Sequence, residues 1–305
     1  MRLQADIRYL VLFVTGACNL RCKYCYARDI PRDPLPLSIA SRALDRAAAA
    51  QKRFHVQLTG GEPTLSPKTI EAIAAAIRAR RLNATIGLQT NGILIDNALI
   101  DLLVRYRIEV GVSLDGIEAV HDAQRGRFKE TLRGLTRLMN RNIPCLITTV
   151  VTAASALHLE KLVLLLAGFP NVRGMALDLL TVRKAAVENR VAPVSERQLA
   201  AALDKTRRAL AFVNRNRSMP FAVRELDTPQ PFECHALRGE SLAVLPDGRL
   251  FPCSQTAGDR AFEIKGDASP TLAPGPDCPS RTHYNRGANL PLCRLFSPYT
   301  SGALK

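Results

Sequence analysis

The sequence predicts an α/β fold in which six strand–helix units build a parallel sheet, followed by a smaller cysteine-rich region. Strand-length apolar runs alternate with helix-period segments six times before residue 180. Such alternation is typical of parallel sheets with right-handed crossovers. Beyond Phe232 the helical patterns fade and four of the eight cysteines appear. The 305 residues, 47% of them hydrophobic, are enough for one large domain and an appendage. We predict a large domain with a bridging helix at residues 1–220 and a small domain at 221–305.

Each element follows from local signals in the sequence. The predicted strands are apolar runs at Tyr9–Val14, His55–Thr59, Ala84–Gln89, Ile108–Ser113, Ile143–Thr152 and Val172–Leu179. The predicted helices have apolar residues at helical spacing and polar or proline starts, at Leu37–Lys52, Ser66–Arg80, from Asp96 onward, up to Asn140, Ser155–Gly168 and Ser195–Asn214. Ser195 and Gln198 have the spacing of a capping box.

Three cysteines follow the first predicted strand closely. Cys18, Cys22 and Cys25 have three and then two residues between them. Thiolates this close in sequence can meet on one face of a loop, as iron–sulfur clusters require. A structural zinc site usually takes four ligands, and no fourth cysteine lies nearby. One metal position is therefore expected to stay open, although a zinc knuckle or scattered thiols are the alternative.

This spacing, with Tyr24 directly before the last cysteine, resembles the signature of the radical S-adenosylmethionine (radical SAM) superfamily. The resemblance implies a [4Fe-4S] cluster on the three cysteines, with the amino and carboxylate groups of SAM at its fourth iron. Gly60-Gly61-Glu62-Pro63 resembles the GGEP motif of the family, which contacts the amino group of SAM. The alternative is an ordinary glycine turn with a solvated glutamate.

Two further strand ends resemble the polar tips that contact SAM in this family. They are Thr90-Asn91-Gly92 and Ser113-Leu114-Asp115-Gly116, which give Asn91, Ser113 and Asp115 as expected contacts. Taken singly, Asn91 and Asp115 could be turn residues that stop their strands. The segment from His121 to Gly126 resembles the loop that leads into the next helix.

All these motifs follow a strand and precede a helix. In (β/α) barrels, chemistry is located at the carboxyl ends of the strands. We therefore expect the motifs to converge on one rim. Six units instead of eight imply, by the resemblance, a partial (β/α)6 TIM barrel of the radical SAM type with a wide mouth on one side.

The C-terminal cysteines predict a second metal site. Ser241–Leu245 and Leu250–Pro252 flank Pro246-Asp247-Gly248 and predict a β-hairpin between Cys234 and Cys253. This resembles the hairpin of SPASM and Twitch domains, which bind auxiliary iron–sulfur clusters. Four cysteines, completed by Cys278 and Cys293, suffice for one [4Fe-4S] cluster and fit the shorter Twitch arrangement. A four-cysteine zinc site is the alternative, and His235 or His283 could replace Cys278 or Cys293.

The resemblance implies reductive cleavage of SAM to a 5′-deoxyadenosyl radical that abstracts hydrogen from a substrate. An external electron donor such as flavodoxin or ferredoxin would supply the electron. Two substrate classes stay open: a peptide or protein side chain, and a small molecule such as a cofactor precursor. An electron carrier without enzymatic activity would need no GGEP turn. The first strand begins near Met1, so no leader-recognition domain is expected before it.

The net charge of +15 favours anionic partners. The basic residues are dispersed and lack the aromatic interleaving of RNA-binding proteins, so nucleic acid is not an expected partner. Neither a signal peptide nor a membrane-spanning apolar run is found in the sequence. We expect a soluble, cytoplasmic protein that does not bind membranes.

Overall fold

The computed structural model describes residues 6–215, 217–223, 235–236 and 238–266. The described strands form one sheet in the order β7-β6-β5-β4-β3-β2-β1-β8-β9, and every pair is parallel except β8 with β9. The strands are β1 Tyr9–Thr15, β2 Phe54–Gly60, β3 Ala84–Thr90, β4 Ile108–Ser113, β5 Cys145–Val151, β6 Val172–Leu179, β7 Ala222–Val223, β8 Ser241–Val244 and β9 Leu250–Phe251. The helices are α1 Leu37–Ala48, α2 Pro67–Ala79, α3 Asn97–Arg105, α4 Glu118–Gln124, α5 Phe128–Asn140, α6 Ala153–Ala156, α7 Leu159–Leu166, α8 Ala185–Glu188 and α9 Glu196–Asn214.

The sheet packs against an apolar layer on each of its faces. On the outer face, strand residues such as Leu10 and Val56 pack against helix residues such as Leu44 and Ile73, all fully buried. On the inner face, alternate residues of β1 such as Phe13 form a separate cluster with the hairpin. Because β1 is covered on both faces, all its residues are buried, and those before Thr15 are apolar or aromatic.

The structure confirms the α/β class, the six parallel strand–helix units and the C-terminal hairpin. The strands β4 and β6 match their predicted bounds, and the other predicted strands differ by one or two residues at one or both ends. The short strand β7 was not predicted. Asp96 caps α3 by accepting a hydrogen bond from Leu99 N (2.8 Å), and the capping box of Ser195 and Gln198 starts α9. Cys145, the first residue of β5, is a buried member of the apolar core.

Four local predictions were wrong. The helix from Leu37 ends at Ala48, because the chain turns through Gln51, whose φ is positive. Only the end of the segment from His121 to Gly126 is a loop, because residues 121–124 belong to α4 and the helix ends before Arg125 and before Gly126, whose φ is positive. Ser66 stands at the start of α2, but its side chain makes no capping hydrogen bond.

The fourth difference is the helix predicted over Ser155–Gly168, which is two helices. Thr152 and Ser155 form a capping box that starts the single turn of α6. His158 then adopts a non-helical conformation (φ −135°), and α7 begins after it. The apolar periodicity continues across the break because both helices pack on the same core.

The C-terminal hairpin continues the barrel sheet at β1. Tyr9 pairs with Ser241 and Leu12 with Val244, in parallel. The described sheet does not close on itself, because β7 and β9 are its edges. This open arrangement is the predicted partial barrel. Within the described residues, no helix combines the length and apolarity needed to cross a bilayer.

Candidate cluster and cofactor site

The loop after β1 presents three thiols close to one another. Cys18, Cys22 and Cys25 are partly buried and none forms a disulfide. Burial raises the pKa of the Cys22 thiol to about 12, and the neighbouring Cys25 and Cys18 add to the rise. Each thiol therefore lies within electrostatic range of the others, and a metal would have to displace their protons.

The described part of the chain contains no group of three His, Cys, Asp or Glu side chains assembled around a single ion. An iron–sulfur cluster makes a different demand, because each thiolate binds a different iron and the sulfurs stand further apart. Leu20 N lies 3.4 Å from Cys18 Sγ and donates to it, a contact that stabilises a thiolate ligand. The loop thus offers three free thiols and a backbone donor to one of them, and a cluster on these thiols stays a prediction.

The two glycines after β2 let a second loop lie against the cysteine loop. Gly61 N donates to Thr15 O and Glu62 N to Ala17 O, both at 2.8 Å. A Cβ on Gly60 would lie 2.2 Å from Thr15 O, and one on Gly61 would lie 2.4 Å from Ala17 O. In this structure, the two glycines and the N–H groups of Gly61 and Glu62 therefore pack the two loops together. Contact of Gly60 and Gly61 with SAM stays a prediction.

Glu62 is a buried acceptor that joins two strand ends. Its Oε1 accepts hydrogen bonds from Thr64 N (3.1 Å), Thr64 Oγ1 (2.5 Å) and Thr90 Oγ1 (2.6 Å). Its Oε2 accepts from Asn91 N (2.7 Å). Burial raises the pKa of this carboxyl group, and the four donors oppose the rise. Because Oε2 has one described donor, it can accept one more hydrogen bond, as the predicted contact with an ammonium group requires.

Asn91 connects the end of β3 to the cysteine loop. Its Nδ2 donates to Asn19 Oδ1 at 2.7 Å, and its Oδ1 accepts from Ile93 N at 3.0 Å. Asn19 is the residue after Cys18, so this contact positions the first thiol. The predicted convergence of the strand tips is thus present for β1, β2 and β3.

Asp115, at the end of β4, binds the other end of the cysteine loop. It is completely buried and accepts from Tyr24 Oη, from Arg125 Nε at 2.9 Å and from Val150 N at 3.0 Å. The Arg125 guanidinium also lies 5.3 Å from the centre of the Tyr24 ring. The sequence did not identify Arg125, whose only signal is its position in the segment after Asp115.

A polar strip on the inner wall of the barrel was also missed. Gln89 Nε2 donates to Ser113 Oγ (3.0 Å), and Thr148 Oγ1 donates to Gln89 Oε1 (3.1 Å). These residues lie on β3, β4 and β5 with inward side chains. The strip holds Ser113, one of the predicted SAM contacts, and strand alternation could have revealed it.

Residues 181–190, called the strap below, connect the cysteine loop to the turn after the hairpin. Lys184 Nζ pairs with Asp29 at 2.8 Å on one side. Arg183 Nη2 donates to Ala257 O at 2.9 Å on the other side. The strap follows β6 in the chain, whereas its partner Asp29 follows β1 and its partner Ala257 follows β9. It therefore spans the side on which the barrel is open.

One predicted auxiliary ligand lies in the described residues. Cys253 follows β9, is partly exposed, and its Sγ accepts from Gln255 N at 3.4 Å. Cys234, Cys278, Cys293 and His283 lie outside the described residues. His235 is described, and its Nδ1 contacts Glu240 Oε2 at 2.9 Å.

The profile of the Radical SAM superfamily matches residues 12–166, which include the cysteine loop and the rim of β1 to β4. The chain belongs to the radical SAM superfamily. Its members are enzymes, and a [4Fe-4S] cluster and SAM are their cofactors. The predicted membership of this superfamily is thereby confirmed, and Cys18, Cys22 and Cys25 as the cluster ligands stay a prediction.

Among curated proteins, the chain is similar to an uncharacterized protein of Methanocaldococcus jannaschii (35% identity, 58% of this chain, 64% of that protein). It is also similar to GTP 3′,8-cyclase of Chlorobaculum tepidum (32%, 45% of this chain, 43% of that protein). A third relative is the sporulation killing factor maturation protein SkfB of Bacillus subtilis (30%, 48% of this chain, 36% of that protein). The alignments thus span from about a third to just under two thirds of these relatives.

Solved structures share the fold over more of the chain. Native anSMEcpe with bound AdoMet superimposes with a TM-score of 0.70 at 19% identity, over 85% of this chain and 78% of that one. SuiB of Streptococcus suis bound to its precursor peptide SuiA gives 0.65 at 18% identity, over 86% and 64%. These identities establish the fold alone, which is the partial barrel predicted from the sequence.

Proposed function

We propose that this protein modifies a peptide or protein side chain by radical SAM chemistry, with an auxiliary [4Fe-4S] cluster in residues 221–305. The proposed site of SAM cleavage is supported by the rim of the barrel, where Glu62, Asn91 and Asp115 bind the cysteine loop. Loops from four neighbouring strands thus meet around three thiols. An ordinary set of turns would not require these contacts.

When bound, the cluster and SAM supply a 5′-deoxyadenosyl radical that abstracts hydrogen from the substrate. The residues of this chain would do the rest. Cys18, Cys22 and Cys25 would hold three irons, and Glu62 Oε2 would accept a hydrogen bond from the amino group of SAM. The inner wall around Gln89 would line the space for the substrate.

The auxiliary site is supported by the surroundings of Cys253. Its sulfur accepts a backbone N–H at 3.4 Å from the second residue after it, as Cys18 does. Burial raises the pKa of Tyr26, and the charges of Asp178, Cys25 and Cys253 add to the rise. Tyr26 and Cys25 pack against the apolar cluster that contains Phe251 and Ala257, which stand on either side of Cys253 in the chain, so the two cysteine sites are near each other. The remaining ligands would be Cys234, Cys278 and Cys293.

The peptide substrate is supported by the relatives. SkfB is named as a maturation protein, and SuiB is solved with its precursor peptide. The +15 charge would attract an acidic leader or acidic flanks, and this attraction would weaken above physiological salt, where the screening length falls below about 8 Å.

A small-molecule substrate is the second candidate, and the strap favours it. Arg183 and Lys184 join the two sides of the open barrel, which narrows the path for an extended chain. GTP 3′,8-cyclase, a relative named for a nucleotide substrate, points the same way.

The test uses the reduced enzyme with SAM under anaerobic conditions. One arm contains peptides encoded beside the gene, and another contains GTP, aminocyclitols and cofactor precursors. We expect a peptide to lose two hydrogens in proportion to the 5′-deoxyadenosine formed, with a rate that falls as salt rises. Turnover of a small molecule, with no peptide stimulating SAM cleavage, would establish the second candidate instead.

A further inference from the structure

The two residues between Cys22 and Cys25 are bound to the end of α4 and to the tip of β4. Lys23 N donates to Gln124 O at 2.9 Å, and the Tyr24 hydroxyl donates to Asp115. Through these two contacts, the segment carrying two of the three thiols depends on the residues at the tip of β4 and the end of α4.

Arg125 completes this arrangement. Its side chain is 11% exposed, and its Nε donates to the Asp115 oxygen that also accepts from Tyr24. Its guanidinium faces the Tyr24 ring at 5.3 Å, and Tyr24 also packs in an apolar cluster with Leu180 and Ala186, against which Cys22 lies. Arg125 thus fixes both the hydroxyl end and the face of Tyr24.

The pair Asp115 and Arg125 also places charge beside the thiols. Both groups are buried, where charges are screened less than at the surface. Tyr24, whose ring faces Arg125 at 5.3 Å, stands between Cys22 and Cys25 in the chain. One side chain therefore separates the guanidinium from the segment that carries two of the three predicted thiolate ligands.

We propose that Arg125 is a positioning residue for the three-cysteine loop and that its buried charge raises the reduction potential of the cluster on Cys18, Cys22 and Cys25. This inference rests on the proposed cluster. Reduction adds one electron to that cluster, supplied for example by titanium(III) as it becomes titanium(IV). The extra negative charge is stabilised by a nearby cation and destabilised by a nearby anion.

The experiment is a potentiometric titration of the reconstituted full chain, followed by electron paramagnetic resonance. The signal to follow is the one that changes when SAM is added, because it belongs to the cluster with the open iron. The variants are Arg125→Gln, Arg125→Lys, Asp115→Asn and the double variant Asp115→Asn/Arg125→Gln. Arg133→Gln, an exposed arginine on α5, is the matched control. Iron per chain is measured for every variant.

We expect Arg125→Gln to shift the midpoint potential to a more negative value and Asp115→Asn to a more positive value. The double variant, which removes both charges, should return towards the wild type. Arg125→Lys should have a midpoint potential close to that of the wild type, because the charge is kept. It should lose iron more readily on chelation, since lysine cannot donate to Asp115 as Arg125 Nε does and also face the Tyr24 ring. The control should match the wild type in both measurements.

Equal shifts of the same sign in both single variants would overturn the proposal, because they would indicate a structural disturbance without a charge effect. An unchanged potential in Arg125→Gln with full iron would overturn it as well. If Arg125→Gln retains no iron, the double variant and Arg125→Lys decide by the same criteria. A wild-type protein without any SAM-sensitive signal would instead refute the proposed function.

Discussion

Gly61→Ala tests the contact between the GGEP turn and the cysteine loop. The new Cβ would lie 2.4 Å from Ala17 O and 2.6 Å from Gly16 O, about 1 Å closer than an ordinary contact. Both neighbours are backbone atoms and cannot rotate away. The two loops must therefore separate, and the 2.8 Å hydrogen bonds of Gly61 N and Glu62 N would weaken with them.

These contacts determine the loss of stability that Gly61→Ala should cause. Overpacking costs about 1–3 kcal/mol, and each weakened hydrogen bond about 1 kcal/mol, so the variant should lose about 3–5 kcal/mol. The assays are iron per chain after anaerobic reconstitution and urea unfolding followed by circular dichroism. Gly168→Ala is the control, because its Cβ would have only Leu165 O nearby, at 3.5 Å. A Gly61→Ala protein with wild-type iron and wild-type stability would refute this account of the glycines.

Three further predictions follow. Glu62→Ala should weaken SAM binding at least tenfold, measured by equilibrium dialysis, while most of the iron stays bound; loss of iron with unchanged SAM affinity would contradict the role given to this carboxylate. Ser195→Ala should cost about 1 kcal/mol of unfolding free energy, whereas Ser66→Ala should cost almost nothing because Ser66 makes no capping hydrogen bond; equal losses in urea unfolding would contradict this. Burial lowers the pKa of His55 and of His121 to about 4, so the unfolded chain binds more protons between that value and about 6.5, and stability must fall as pH falls through this window. Between pH 7 and pH 5 the loss should be about 2 kcal/mol for each histidine, and a stability independent of pH would contradict the burial of both rings.

The sequence was sufficient for the parts of the fold that depend on local patterns. Apolar runs such as Ile108–Ser113 and capping residues such as Asp96 specify their elements without help from the rest of the chain. The break at His158 was not predictable, because the apolar spacing on both sides of it is that of one helix.

The candidate site divides in the same way. The motifs could be predicted from the sequence because their residue types are unusual at strand ends, and because parallel strands bring those ends to one rim. The hydrogen bonds of Asp115 with Tyr24 and Arg125 could not be predicted. Tyr24 is 91 positions away from Asp115, and the contact with Arg125 depends on the direction in which α4 ends. The strap is a similar case, because its contacts cross the open side of the barrel.

The most direct test of the central claim is SAM cleavage by a protein that lacks the three-cysteine loop ligands. Cys18, Cys22 and Cys25 are replaced together by alanine, and Cys145→Ala serves as a control for the loss of a buried thiol. We predict roughly eight irons per wild-type chain, about half in the triple variant, and 5′-deoxyadenosine from the wild type and control only. A triple variant that keeps its full iron and still forms 5′-deoxyadenosine would contradict the assignment of this loop as the radical SAM site.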